Sequence, residues 1–212
     1  MKIDRPTTTA EQLNRGPVTT PRQSASVILL RDGDEGGLEL LLVRRNPAQR
    51  FMGGYWVFPG GAVDAGEGEG DAAHRAAAVR ELREEAGVGG VDAGELVKYS
   101  RWITPELIET RFDTHFFLAR SPAGERASPD GVECVDLRWS SPRAALEDHA
   151  RGELPLVFPT RRHLEELSAF STVDELVAHA RQKDVRPVQP RIVLRGGTAQ
   201  VYLPGEPEYS GS

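Results

Sequence analysis

Between Arg80 and Val88 the chain reads Arg-Glu-Leu-Arg-Glu-Glu-Ala-Gly-Val, placing three carboxylates and two guanidinium groups in six residues just ahead of a glycine. If this stretch is helical, Glu81, Glu84 and Glu85 stand at i, i+3 and i+4 and project from one side. Like charges at these spacings repel by roughly a few tenths of a kcal/mol per pair. Arg80 and Glu84 can pair at i, i+4, whereas Arg83 has Val79, Ala86 and Gly87 as its helical neighbours and Glu81 looks back on Ala77 and Ala78. The repulsion therefore lacks an obvious internal remedy. Two readings stand side by side: a solvated face laced with ion pairs, or a site where a divalent cation removes the repulsion. Three hard oxygen donors suit Mg²⁺ or Mn²⁺ better than zinc, and Mg²⁺ commonly shares its shell with substrate phosphates.

A helix is what must hold these groups. Asp71 to Ala86 is rich in Ala, Arg, Glu and Leu and is followed by Gly87, where a left-handed cap is expected. Ala78, Val79, Leu82 and Ala86 form an apolar stripe on another side of it, able to pack on a sheet. Ahead of the helix, Phe58-Pro-Gly-Gly-Ala-Val-Asp-Ala-Gly-Glu67 supplies Gly60, Gly61 and Gly66, which let a backbone turn tightly or approach a ligand closely. Residues 24–32 and 38–45 read as a β-hairpin around DGDEGG, and 55–58 as a third strand. LVKYSRWI, RFDTHFFLA and VECVDLRWS alternate as strands. Helices are expected over 142–150, after Ser141-Pro142, over 161–169, and over 173–183, opened by a Thr172/Glu175 capping box. Two short strands are expected in the tail. This order of elements indicates an α+β fold with a mixed sheet sandwiched between helices. Residues 1–22 read as an N-terminal arm, 23–170 as the main domain, and 171–212 as an extension packed on it.

Composition narrows the chemistry. The net charge of −6 argues against a broad nucleic-acid surface, though small anions remain acceptable where arginines or a metal supply local positive charge. The single cysteine, Cys134, cannot form an internal disulfide, and no apolar run approaches a membrane span. The N-terminal segment has neither a secretory nor a transit-peptide pattern, so a cytoplasmic protein is expected.

The loop and helix together resemble the Nudix hydrolase box. Gly61 and Glu67 match its first part, and Arg80, Glu81, Leu82, Glu84, Glu85, Gly87 and Val88 its second. The twelve residues Gly68 to Val79 replace a shorter spacer of seven. Upstream, Leu41-Leu42, Arg50, Gly54 and Phe58-Pro59-Gly60-Gly61 keep the spacing of the coenzyme A diphosphohydrolase branch, with Val43, Arg45 and Asn46 in place of its hydroxyl-bearing residues. The enlarged box, RWITPE and RFDTHFFLA are similar to the peroxisomal coenzyme A diphosphatases.

This resemblance implies attack of water on a nucleoside diphosphate linked to another moiety. Glu81, Glu84 and Glu85, with Gly61, would form the metal site for Mg²⁺ or Mn²⁺, and Arg80 would orient the carboxylates. Glu84, Glu85 and Glu133 are the candidate bases; Glu133 reads equally as a solvated strand-end residue sharing a face with Val135, Leu137 and Trp139. Arg50, Gly60, Gly61 and Trp102 are the candidate substrate contacts. Trp102, Tyr99 and Phe112 could stack a base or simply fill the core. His115 reads as structural, Arg161-Arg162 as surface charge or a phosphate contact, and Cys134 as a packing residue. The expected substrate is coenzyme A or acyl-coenzyme A, cleaved to adenosine 3′,5′-bisphosphate and (acyl)phosphopantetheine. ADP-ribose or another nucleoside diphosphate derivative is the alternative, and a non-catalytic nucleotide sensor is the alternative of another class. A homodimer is expected by analogy, with neither nucleic acid nor membrane as a partner.

Overall fold

The structure, a computed structural model, describes residues 5–6, 13–33, 36–195 and 198–209. Among the described residues, eleven strands and four α-helices run in the order β1 (Arg5–Pro6), β2 (Arg22–Asp32), β3 (Leu38–Arg45), β4 (Trp56–Val57), β5 (Gly60–Ala62), α1 (Gly70–Ala86), β6 (Val97–Ile103), β7 (Phe112–Arg120), β8 (Cys134–Ser140), α2 (Pro142–Ala150), α3 (Phe158–Leu167), α4 (Val173–Gln182), β9 (Pro187–Val188), β10 (Arg191–Arg195) and β11 (Thr198–Tyr202). Part of the expected hairpin turn, Asp34 and Glu35, lies outside the described residues, as does most of the expected arm before residue 13.

β2 organises the molecule. It runs parallel to β7 from Arg22 to Leu30, and on its other edge it pairs antiparallel with β5 through Ser24–Ser26 and with β3 through Leu30–Asp32. From Ser24 to Leu30 it is buried throughout, because helices cover both faces of the sheet. Successive side chains point to opposite faces. Ile28 and Leu30 join an aromatic-rich core with Trp56, Phe58, Tyr99 and Trp102, while Ala25, Val27 and Leu29 meet Ala77, Ala78, Leu82 and Ala86 of α1. The mixed sheet between helices is the α+β architecture expected.

Local chemistry explains the element ends. Gly87 ends α1 in the left-handed conformation at φ 65°, its N–H donating to the Arg83 carbonyl at 3.0 Å. Ser141 caps α2 by accepting from the Ala144 N–H, and Thr172 and Glu175 cap α4 reciprocally. α3 starts at Phe158, earlier than the expected 161, because Pro159 sits in its first turn, where a missing N–H costs nothing. β8 starts at Cys134 and excludes Glu133: the Asp130 carboxylate accepts the N–H groups of Glu133 and Cys134 at 2.9 and 2.7 Å, bending the chain there. Beyond α4, β9 extends the sheet alongside β6, and the β10–β11 hairpin places Ile192 and Val201 against the aromatic core. No helix among the described residues is long and apolar enough to cross a membrane.

Candidate active site

Arg80 is the hub of the site. Its Nε donates to Glu67 Oε1 at 2.9 Å, Nη1 donates to Glu81 Oε1 at 2.8 Å and Glu84 Oε2 at 2.9 Å, and Nη2 donates to the Ala62 carbonyl at 2.9 Å. The rigid planar fork of arginine suits such a task and the ammonium of lysine does not. This corrects the expectation that the carboxylate repulsion lacks an internal remedy: one guanidinium touches both Glu81 and Glu84. It also brings in Glu67, which stands thirteen residues away in sequence. Three stacked effects fix Glu67: burial alone would raise its pKa, but the Arg80 guanidinium and the Asp64 N–H hold it below the usual carboxylate range. The Arg80 pKa is correspondingly raised, first by its bond to Glu67.

The three glutamates of α1 occupy different environments. Glu85 is 2% exposed. Its Oε2 accepts from the Gly60 N–H at 2.9 Å, and its Oε1 faces Arg45 Nη1 at 3.5 Å. Burial pushes its pKa up to about 7 against the opposing pull of Gly60 and Arg45. Glu81 is also shifted upward, chiefly by burial, with Arg80 working against the shift and the neighbouring charges of Glu84 and Glu133 reinforcing it. The Glu84 side chain is half exposed.

β5 explains the glycines. A side chain on Gly61 would collide with the Glu81 carboxylate, and one on Gly60 would meet the Ala25 carbonyl and Ser26 Cα of β2 at 2.5 and 2.7 Å. Both positions need glycine for close approach rather than for a left-handed backbone.

These groups border a cleft of about 440 Å³. Glu81, Glu84, Glu133, Arg80 and Arg45 give it charge, and Trp102, Phe112 and Phe158 give it an aromatic wall. Gly60 and Gly61 line it as expected, while Glu85 sits behind them and ties down their loop. Glu133 is exposed, borders the cleft, and has no side-chain hydrogen bond or ion pair among the described residues. The strand face it was expected to share begins only at the next residue, so that placement is corrected. Trp102 is 6% exposed and borders the cleft edge-on to Phe158, whereas Tyr99 turns into the core with its hydroxyl toward Glu166. Arg50 lies exposed on the loop before β4 and does not line the cleft; Arg45, counted in the sequence merely as a replacement, takes the position beside the carboxylates. His115 is buried and stacked on His74 at 3.8 Å, away from the cleft. Arg161 and Arg162 both face Glu165 on their own helix. A larger hollow of about 990 Å³ near Arg75, Lys98 and Arg181 is lined by none of the α1 glutamates.

The donor set fits a divalent cation in chemical kind, with carboxylate oxygens on one helix side and substrate-sized space beside them. Glu81 Oε2 and Glu84 Oε1 have no partner among the described residues, since Arg80 engages only the other oxygen of each. As the side chains stand, no three acidic, histidine or cysteine groups among the described residues converge on one point.

A mixed sheet between helices, with a glycine-bearing strand feeding a carboxylate-lined helix, is shared with solved hydrolases of the NUDIX family, which act on diphosphate bonds of nucleotide derivatives. Residues 20–159 match the NUDIX domain family, and the chain belongs to that family. A solved NUDIX hydrolase from Alicyclobacillus acidocaldarius superposes with a TM-score of 0.67 at 27% identity, covering 76% of this chain and 96% of that one. A putative 8-oxo-dGTP diphosphatase of Bacillus subtilis (strain 168) is 33% identical over 141 residues, 66% of this chain and 74% of the relative. The human acyl-coenzyme A diphosphatase NUDT19 is 31% identical over 123 residues, 56% of this chain and a third of the relative. Family members generally use divalent metal ions.

Proposed function

We propose that the chain hydrolyses the diphosphate of coenzyme A or acyl-coenzyme A with the aid of Mg²⁺ or Mn²⁺, releasing adenosine 3′,5′-bisphosphate and (acyl)phosphopantetheine. The observation that carries this reading is the Arg80 hub, which joins Glu67, Glu81 and Glu84 while leaving one oxygen of Glu81 and one of Glu84 unpaired among the described residues, on two glutamates that line the cleft. The upstream coenzyme A spacing and the NUDT19 similarity support the substrate.

Each residue then has a task. Glu81 and Glu84 hold the cation, Gly61 admits Glu81 close to β5, and Glu85 anchors the Gly60 N–H so that the loop keeps its shape. A divalent ion bound there supplies neutralisation of diphosphate charge and acidification of water. Glu133 accepts the proton of the attacking water: it borders the cleft, is exposed, and is free of the arginine that occupies Glu84. Arg45 and Arg80 add positive charge against the substrate's negative charge, which an acidic protein must concentrate locally.

The similarity to the Bacillus subtilis relative favours one second reading, hydrolysis of a nucleoside triphosphate at the same site. The test is turnover with Mg²⁺ of coenzyme A, acetyl-coenzyme A, ADP-ribose and 8-oxo-dGTP, with products identified by mass. Adenosine 3′,5′-bisphosphate from coenzyme A is the expected product. Preferential release of diphosphate from 8-oxo-dGTP would select the second reading, and nucleotide binding without any turnover would make the protein a sensor.

A further inference from the structure

One wall of the cleft carries no carboxylate and is assembled from distant parts of the chain. Trp102 comes from β6, Phe158 and Thr160 from the first turn of α3, and Ile192 and Val201 from the C-terminal hairpin. The NUDIX match covers residues 20–159, so Thr160, Ile192 and Val201 lie outside the matched stretch. Trp102 and Phe158 meet edge to face, ring centroids 6.0 Å apart at 76°. Within this apolar wall Thr160 is the polar exception. It is 2% exposed and borders the cleft, and its hydroxyl has no hydrogen-bond partner among the described residues. No side chain caps the first turn of α3, to which Thr160 belongs.

An apolar wall with one unpaired hydroxyl suits a planar group that has a polar edge. An aliphatic chain would cover that hydroxyl without satisfying it, and leaving a buried donor unmatched is unfavourable. A purine fits both demands, its faces against Trp102 and Ile192 and a ring nitrogen accepting from the hydroxyl. We infer that Thr160, together with Ile192 and Val201 of the C-terminal hairpin, forms the nucleobase subsite of the cleft and favours a purine. The inference rests on the reading of the cleft as a nucleotide-diphosphate site. It gives the C-terminal extension a role in specificity.

Binding of uncharged fragments tests the subsite without requiring hydrolysis. Adenosine, cytidine and S-octanoyl-pantetheine are titrated against the full chain while tryptophan fluorescence is recorded, with Trp102→Phe identifying the signal from the wall. Adenosine should quench Trp102, and cytidine should do so more weakly. Thr160→Val should weaken adenosine about tenfold, on the order expected for one lost hydrogen bond, and Thr160→Ser should restore it. Ile192→Ser should weaken it as well, with Ile192→Val as the milder variant should the first fail to fold. Unchanged adenosine affinity in Thr160→Val and in the folded Ile192 variant would overturn the subsite. Quenching by S-octanoyl-pantetheine in place of adenosine would overturn it too, assigning the wall to an acyl chain. Adenosine binding that responds as expected, in a protein that hydrolyses none of the diphosphate panel, would keep the subsite and remove the proposed activity. Hydrolysis with no effect of the variants would do the reverse.

Discussion

The two faces of the central sheet are packed with different materials. Beneath α1 the buried residues are mostly aliphatic, with Ala25, Ala77, Ala78 and Ala86 beside Leu29, Leu41 and Leu82 and with Phe117 as the buried aromatic; on the opposite face Trp56, Phe58, Tyr99, Trp102 and Phe158 fill the space under α2, α3 and α4. Small residues let a helix approach the strands closely. That proximity is what puts Glu81 against Gly61 and Glu85 within 2.9 Å of the Gly60 N–H. The aromatic face buries more surface per residue and supplies the apolar wall of the cleft. Charge is therefore positioned on the side where the backbone spacing is short, and bulk burial is concentrated on the other.

The strongest challenge to this division is a methyl group on β5. Gly61→Ala forces the Glu81 carboxylate aside, and because that carboxylate is the movable end of a flexible side chain, the thermal midpoint should stay close to that of the parent. Activity should fall about 10²-fold, the scale of a roughly 1 Å misplacement in a catalytic site. Gly60→Ala should behave oppositely, losing stability by about 1–3 kcal/mol because its new methyl meets backbone atoms of β2. Calorimetry with steady-state hydrolysis separates the two, and full activity in Gly61→Ala would show that the close approach is not functional.

Leu82→Ala probes the packing beneath α1 directly. Leu82 is fully buried in the cluster between α1 and the sheet, so a loss of about 2–5 kcal/mol is expected in urea unfolding. A loss well below that range would mean that α1 settles onto the sheet.

The histidines sharpen the comparison through pH. Burial, reinforced by the charges of His74, Lys98 and Arg101, lowers the His115 pKa to about 4 from an ordinary 6.5. Between those values the unfolded chain binds more protons than the folded one, so this stability is present at neutral pH and is lost as pH falls from about 6.5 to 4. His115→Gln should flatten that part of the curve of thermal midpoint against pH. On the aromatic face His163, fully buried and lowered by burial to about 3, should extend the same acid sensitivity to lower pH. The smallest effect belongs to the cap of α4: Thr172→Ala should cost about 1 kcal/mol in denaturant unfolding.

Features encoded within a few residues are legible in the sequence. The α1 boundaries, the Gly87 cap, the Arg80–Glu84 pair and the Thr172/Glu175 box all follow from spacing along one element. What depends on tertiary approach is less so. The box pattern included Glu67, but its bond to Arg80 spans a lengthened spacer that local periodicity does not fold. Glu133 reads as a strand residue until the Asp130 carboxylate intercepts its N–H. Arg45 and Arg50 are indistinguishable by type, and only the course of β3 beside α1 puts the first near Glu85. Nothing local in the tail points Ile192 or Val201 toward the cleft.

The central claim is that Glu81 and Glu84 hold a divalent ion while Arg80 holds them. Electron paramagnetic resonance of free Mn²⁺ during titration of the protein measures this without any assumption about substrate. The account predicts saturable uptake by the parent chain and its loss in the Glu81→Gln/Glu84→Gln double variant with the thermal midpoint retained. Equal uptake by parent and double variant would contradict it.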